Sequence, residues 1–393
     1  MEILFTPGSY YSVHDDLIFT VRDNIKANDP VTYPDYRYIA DVYNGAELVA
    51  RLKAYPQPDS KIGEFNISNI LRNYITPVLN PNLVSFDAQD MDLGDFNVSG
   101  TVIFGEEYGF TQYLNVSGDT GRRYFGHYNG RKLGVQTNLS SLVNKFATIR
   151  PIITTVYRNS KNVFLPFFMN ADDPTVDIRL YNYDGSPGYS VTTSQIANDF
   201  HLSILNISPA AIDAMVFPIF TEQTEYYTVE VGASGIYRFN LVCEPKYDVH
   251  ILHFLNRFGG WETKEFTKLS RKNINIEKSE FGKRPHTLSD AGVPQYYSSS
   301  NVYNETRSVF ASQYKERMTL NSDHLTDGDY IWLSDLVLSP IVYMEMTNDD
   351  DDIFFIPIVI TETDYEIKKG VNDKSKNLTI NIEFGERFNA QYR

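Results

Sequence analysis

Cysteine is all but missing: Cys243 is the only one in 393 residues, so the chain can form neither an intrachain disulfide nor a thiolate metal cluster. Tryptophan is nearly as scarce, with Trp261 and Trp332 alone. No long hydrophobic run exists. The most apolar stretch, Ile353-Phe354-Phe355-Ile356-Pro357-Ile358-Val359-Ile360, falls far short of the ~20 residues that a membrane-crossing helix needs. The opening Met1-Glu2-Ile3-Leu4-Phe5-Thr6-Pro7-Gly8 has neither the basic nor the apolar region of a secretory signal, so synthesis and folding in a reducing cytoplasm are expected. Positive charge is in deficit too. Thirty-five Lys and Arg against 50 Asp and Glu leave a net charge of −15, which repels bare nucleic acid and argues against a sequence-specific reader of it. Gly-x-Ser-x-Gly, Walker, dinucleotide and His-Glu-x-x-His motifs are all absent; Val231-Gly232-Ala233-Ser234-Gly235 comes nearest to a nucleophile elbow and has the wrong spacing. The chain is therefore not expected to be an enzyme or to carry a cofactor.

What is abundant is aromatic: 28 Tyr and 25 Phe. Such richness favours strands, and tyrosine also suits interfaces that are apolar on one side and wet on the other. The chain's length calls for two or three domains. Period-2 alternation from Tyr36 to Tyr43, an Asn44-Gly45 pair and a second alternation from Ala46 to Lys53 predict a hairpin. Ile67, Ile70, Leu71, Tyr74 and Ile75 recur at helical spacing before Pro77, which predicts a short helix over 66–76. Strands are read at 101–105, 177–181 and 226–231, and Ser208-Pro209-Ala210 opens a brief helix. An aromatic hairpin spans 247–269 around Arg257-Phe258-Gly259-Gly260, and a helix covers 326–338. Strands follow at 341–346, 353–360 and 378–384.

The expected fold is mainly β: two or three β-sandwich-like modules with a few short helices. Residues 1–155 form an N-terminal sandwich, 156–245 a middle β-rich module and 246–393 a C-terminal β module.

Three clusters invite a functional reading. His250 and His253 lie three apart on a strand and so point to opposite faces, which two ligands of one ion cannot do without a bulge. The Asp349–Asp352 run lacks the spacing, glycine and terminal Glu of a calcium loop, and reads as a solvated hairpin tip; whether it holds an ion stays open. Residues 257–284 gather eight Lys and Arg against four Glu, either a strip for an acidic partner or a solvated face.

The stretch Val249-His250-Ile251-Leu252-His253-Phe254-Leu255-Asn256-Arg257-Phe258-Gly259-Gly260-Trp261 resembles a segment of virion proteins from crAss-like and related tailed phages of Bacteroidetes-type hosts. Downstream, Trp332, Leu333, Leu336, Ser339, Pro340, Val342 and Tyr343 match a second pattern of that family, and the closing strands through Gln391 resemble its C-terminus. The resemblance covers about residues 247–393. It implies a virion structural protein, a ring-forming neck or tail component that lines a DNA channel. The ring would hold twelve or six copies and abut portal-proximal or tail-hub proteins. No catalytic, cofactor or metal residue is carried over. Phe258, Gly259, Gly260, Trp261 and Trp332 are the candidate turn and assembly residues. The alternative is a phage adhesin or carbohydrate-binding sandwich.

Overall fold

The computed structural model describes residues 1–77, 79, 89–90, 97–118, 122–126, 145–169, 175–194, 201–215, 217–232, 235–242, 245–296, 305–348, 350, 352–361, 377–385 and 388–392. Strands make up 54% of it and helices 9%, so the mainly β expectation holds. Two compact units divide the chain. The first comprises Met1–Glu244, His253–Lys264 and Ile331–Pro340; the second comprises Pro245–Leu252, Glu265–Tyr330 and Ile341–Arg393.

The first unit contains two sandwich-like cores. In one, a three-stranded sheet (Glu2–Phe5, Ile18–Arg22, Ile62–Asn66) contributes Phe19, Val21 and Phe65. A six-stranded sheet supplies Tyr38, Val42, Val102, Phe104 and Tyr124 to the same core. The Phe104 ring lies 6.0 Å from both Phe19 and Phe65, and each fully buried Phe contributes about 1.5–3 kcal/mol.

The expected hairpin is present as Arg37–Asn44 and Glu47–Ala54, with Gly45 at a φ of +58°. Its alternation is imperfect for a physical reason. The register shifts between Val42 and Tyr43, which leaves Leu48 exposed, while Asp41 is buried and held by Arg51 at 2.6 and 2.9 Å. The helix expected over 66–76 is shorter: an α-turn at Ser68–Leu71 runs into a 3-10 turn at Arg72–Tyr74. Asn66 Oδ1 accepts the Ser68 N–H at 3.1 Å, which keeps Asn66 outside the helix.

The second core lies between a four-stranded sheet (Lys145–Phe146, Phe164–Met169, His201–Asn206, Gln89–Asp90) and a five-stranded one. The five-stranded sheet runs Ile153–Tyr157, Tyr237–Val242, Thr224–Val231, Thr175–Asn182, Pro187–Ser194. Leu165, Phe167 and Leu205 from the first sheet meet Val176, Ile178, Tyr227, Val229 and Phe239 from the second. The brief helix is Pro209–Met215, and Ser208 Oγ caps it by accepting the Ala211 N–H at 3.1 Å.

In the second unit the strands Val342–Thr347, Ile353–Ile360, Thr379–Phe384, Arg307–Asn321 and Arg271–Gly282 are neighbours in that order. Leu320, Ile380 and Ile382 are fully buried there. The helix is Asp327–Leu338, with residues from Ile331 onward belonging to the first unit. Thr326 Oγ1 accepts the Asp329 N–H at 3.2 Å, and the Asp329 carboxylate accepts the Thr326 N–H at 2.8 Å, a reciprocal cap.

Candidate functional site

The five residues singled out by sequence lie in the first unit and are all interior. Trp261 and Trp332 are buried, and Phe258 nearly so. Asn256 organises their turn. Its backbone N–H donates to the Gly260 carbonyl at 2.9 Å, and its carbonyl accepts the Gly259 N–H at 2.9 Å. Its Oδ1 accepts from Phe258 N–H at 2.9 Å and Gly260 N–H at 3.1 Å. Gly259 sits at φ +83°, where a side chain is strained. A Cβ on Gly260 would come within 2.4 Å of Pro166 Cβ, so this glycine is required by close approach to the four-stranded sheet. Phe168 meets Phe258 edge-on at 6.4 Å, and Phe164 packs on His253 at 4.9 Å. That second covering explains why Phe164-Leu165-Pro166-Phe167-Phe168 does not alternate: the strand is buried on both faces.

At the centre of this knot is Glu262, wholly buried. Its carboxylate accepts from Trp332 Nε1 at 2.6 Å and from Asn256 Nδ2 at 2.5 Å, with Arg150 Nε at 3.8 Å. Burial pushes the Glu262 carboxyl above the ordinary carboxylate value; the Arg150 charge and the Asn256 amide oppose that rise. The Arg150 guanidinium lies 4.4 Å from the Trp332 ring and also donates to the Thr263 carbonyl. Arg257 grips Asp335 through Nε at 2.9 Å and Nη2 at 2.7 Å, and Ser339 Oγ accepts the Leu255 N–H at 3.1 Å. Each carboxylate in this cluster is engaged by side chains of the chain itself. Chemically the arrangement is a clamp.

The two histidines also separate. His253 is buried, its Nδ1 2.9 Å from Thr263 Oγ1, while His250 is partly exposed, with a pKa lowered by burial. Asp349 and Asp351 lie outside the described residues; Asp350 and Asp352 are exposed at a tip shaped by Asn348, whose Oδ1 accepts both of their N–H groups at 3.0 and 2.8 Å. Among the described residues no group of three or more His, Cys, Asp or Glu could hold a metal.

A different surface emerges in the second unit, where the sequence reading places no element between Leu269 and Thr326. Arg271–Gly282 and Arg307–Asn321 form a long antiparallel hairpin, and all twelve residues of its first strand are exposed. Ile274 and Ile276 stand opposite Glu316 and Tyr314 and keep 56% and 57% of their surface in water. Phe281 and Phe310 meet at 6.2 Å and are also exposed. On the same face, toward the sheet's interior, Met318 stands opposite Ile382 and Leu320 opposite Ile380. Beyond Met318 the Lys272–Glu316 ion pair crosses that face, and Ile274 and Ile276 stand exposed on its far side. The one signal in the sequence was Asn273-Ile274-Asn275-Ile276, an alternation too short to stand out.

The basic strip divides accordingly. In the first unit Arg257 pairs with Asp335, and Lys264 is buried with its amine 5.9 Å from the Trp332 ring. In the second, Lys268, Lys272 and Lys283 pair with Asp323, Glu316 and Glu305. Arg271, Lys278 and Arg284 make no ion pair among the described residues. Compared with known proteins, the chain matches no family model and no curated sequence. No helix among the described residues is long and apolar enough to cross a membrane.

Proposed function

We propose that this chain is a structural protein that works by assembly, a ring-forming component of the neck or tail of a tailed phage, with copies and neighbouring virion proteins arranged around the DNA channel. The observation that carries the assembly is the long hairpin: Ile274 and Ile276 stand exposed on a strand that has no buried residue, a surface suited to being covered. Other exposed apolar side chains, Phe110, Tyr113, Leu114 and Val116, lie in the first unit. Two unlike surfaces suit a heterologous, head-to-tail contact, and such contacts close into rings when the rotation allows. The virion assignment rests on the resemblance of residues 247–393. The acidic balance supports it, because a channel wall must not hold DNA.

Electron microscopy of the purified chain, alone and with the adjoining virion proteins, tests this reading. Closed rings are expected. A stable dimer with one extensive two-fold interface, seen by light scattering, would overturn it.

The adhesin reading is favoured by one observation, an open bowl of about 650 Å³ in the second unit whose lining includes Tyr247, Lys268, Arg271, Asn321, His324 and Asn377. Its size falls in the ligand range. A rise in melting temperature on adding acidic or neutral glycans, lost on Tyr247→Ala, would move the function there.

A further inference from the structure

From Arg271 onward, charge is segregated along the sequence. Residues 271–317, the long hairpin and its connection, hold eight Lys or Arg against five Asp or Glu, a surplus of three in a chain whose total is −15. The next fifty residues, Met318 to Ile367, hold twelve Asp or Glu and no Lys or Arg at all. Two of those acids, Asp350 and Asp352, are exposed at the tip between Val342–Thr347 and Ile353–Ile360. Beside that tip Met346 and Phe354 face each other across the strands, and both are exposed, Phe354 by 50%. The same sheet thus carries two uncovered apolar pairs, one fringed by cations without an ion partner among the described residues and one by carboxylates.

We infer that the long hairpin of one copy seats on the acidic hairpin, Val342–Ile360, of a second copy, with Ile274 and Ile276 meeting the Met346–Phe354 pair and Lys278 reaching Asp350 and Asp352. The inference rests on the assembly reading and names its contact. Opposite charges on unlike surfaces orient the copies head to tail and disfavour two like hairpins coming together. The contact also answers a difficulty: copies with a charge of −15 repel one another at long range, and a local cationic strand set against a local acidic tip overcomes that only at short range.

The test is zero-length carbodiimide coupling of amines to carboxylates in an equal mixture of nitrogen-14 and nitrogen-15 copies of the full chain. Trypsin releases Met318–Lys368 as one peptide, because nothing inside it is cleaved. Mixed-isotope links between Lys278 and that peptide are expected. Their yield should fall about fivefold in the Ile274→Ser, Ile276→Ser double variant, which keeps every charge, and by a similar factor in 0.5 M salt. Links that are only single-isotope, links confined to other residues, or none at all would each overturn the inference. Micrographs of the same mixture separate it from the broader reading. Closed rings without these links sink the hairpin contact alone, and the links in open chains without rings sink the ring alone.

Discussion

Two hairpins, one of 253–264 and one of 271–321, are built from similar strand-forming residues and end in opposite states. In the first, Asn256 satisfies the turn, Glu262 takes N–H donors from Trp332 and Asn256, and Arg257 closes on Asp335. In the second, Ile274, Ile276 and Phe281 face water along a strand with no buried residue. The difference teaches where each can fail. The inner hairpin holds its energy within the chain, so damage there is read as lost stability. The first strand of the outer one, Arg271–Gly282, has no buried side chain to lose on unfolding, and damage there is read as lost association.

The largest effect should come from Trp261→Ala, which opens a cavity in the inner hairpin and costs about 3–5 kcal/mol in chemical denaturation. A variant that folds with unchanged stability would break the contrast at its root. Gly260→Val drives a side chain into Pro166 and Gly259→Val strains a positive φ; each should cost about 1–3 kcal/mol by the same measurement.

Ile276→Ser belongs to the other side of the comparison. Its stability change should stay within about 0.5 kcal/mol, as for an exposed position, while sedimentation shows weakened self-association. A large drop in melting temperature would mean that this strand is part of a core after all.

A pH effect stands apart from both hairpins. Burial, and then the Arg72 charge, lower the His14 pKa from 6.5 to about 4. Between those values the unfolded chain binds the proton and the folded one does not, so stability is complete above pH 6.5 and declines as pH falls toward 4. His14→Gln should flatten that slope in thermal melts, leaving both hairpins untouched.

Much of the inner hairpin was legible in the sequence. A strand ending in Asn, then Gly-Gly, then Trp is a local pattern, and local patterns survive reading in one dimension. That Glu262 would be its buried centre was not legible, because its partners Arg150 and Trp332 lie 112 and 70 residues away. The same limit applies to the two units: nothing in the composition of 253–264 or 331–340 marks them as belonging with residues 1–244. The outer hairpin was missed for the converse reason. Strand reading relies on one face being apolar and the other polar, and Lys, Asn, Glu and Ser intrude on both faces of Arg271–Gly282. Charged residues on an edge strand also protect it against indiscriminate pairing, so the device that keeps the edge soluble hides it from the eye.

The Glu262–Trp332 bond has a consequence for the ribosome. Translation at roughly 5–20 residues per second puts about 4–14 s between the appearance of the carboxylate and that of the indole, since 70 residues separate them. Throughout that interval the nascent first unit has its sheets but lacks the segment 331–340 that completes it. A buried acid without that donor is costly, so residues 253–264 should dock only loosely until the helix emerges. Unit one, though nearly all of it is made first, is expected to resist proteases fully only once Pro340 has emerged, which limited proteolysis of ribosome-stalled chains would show.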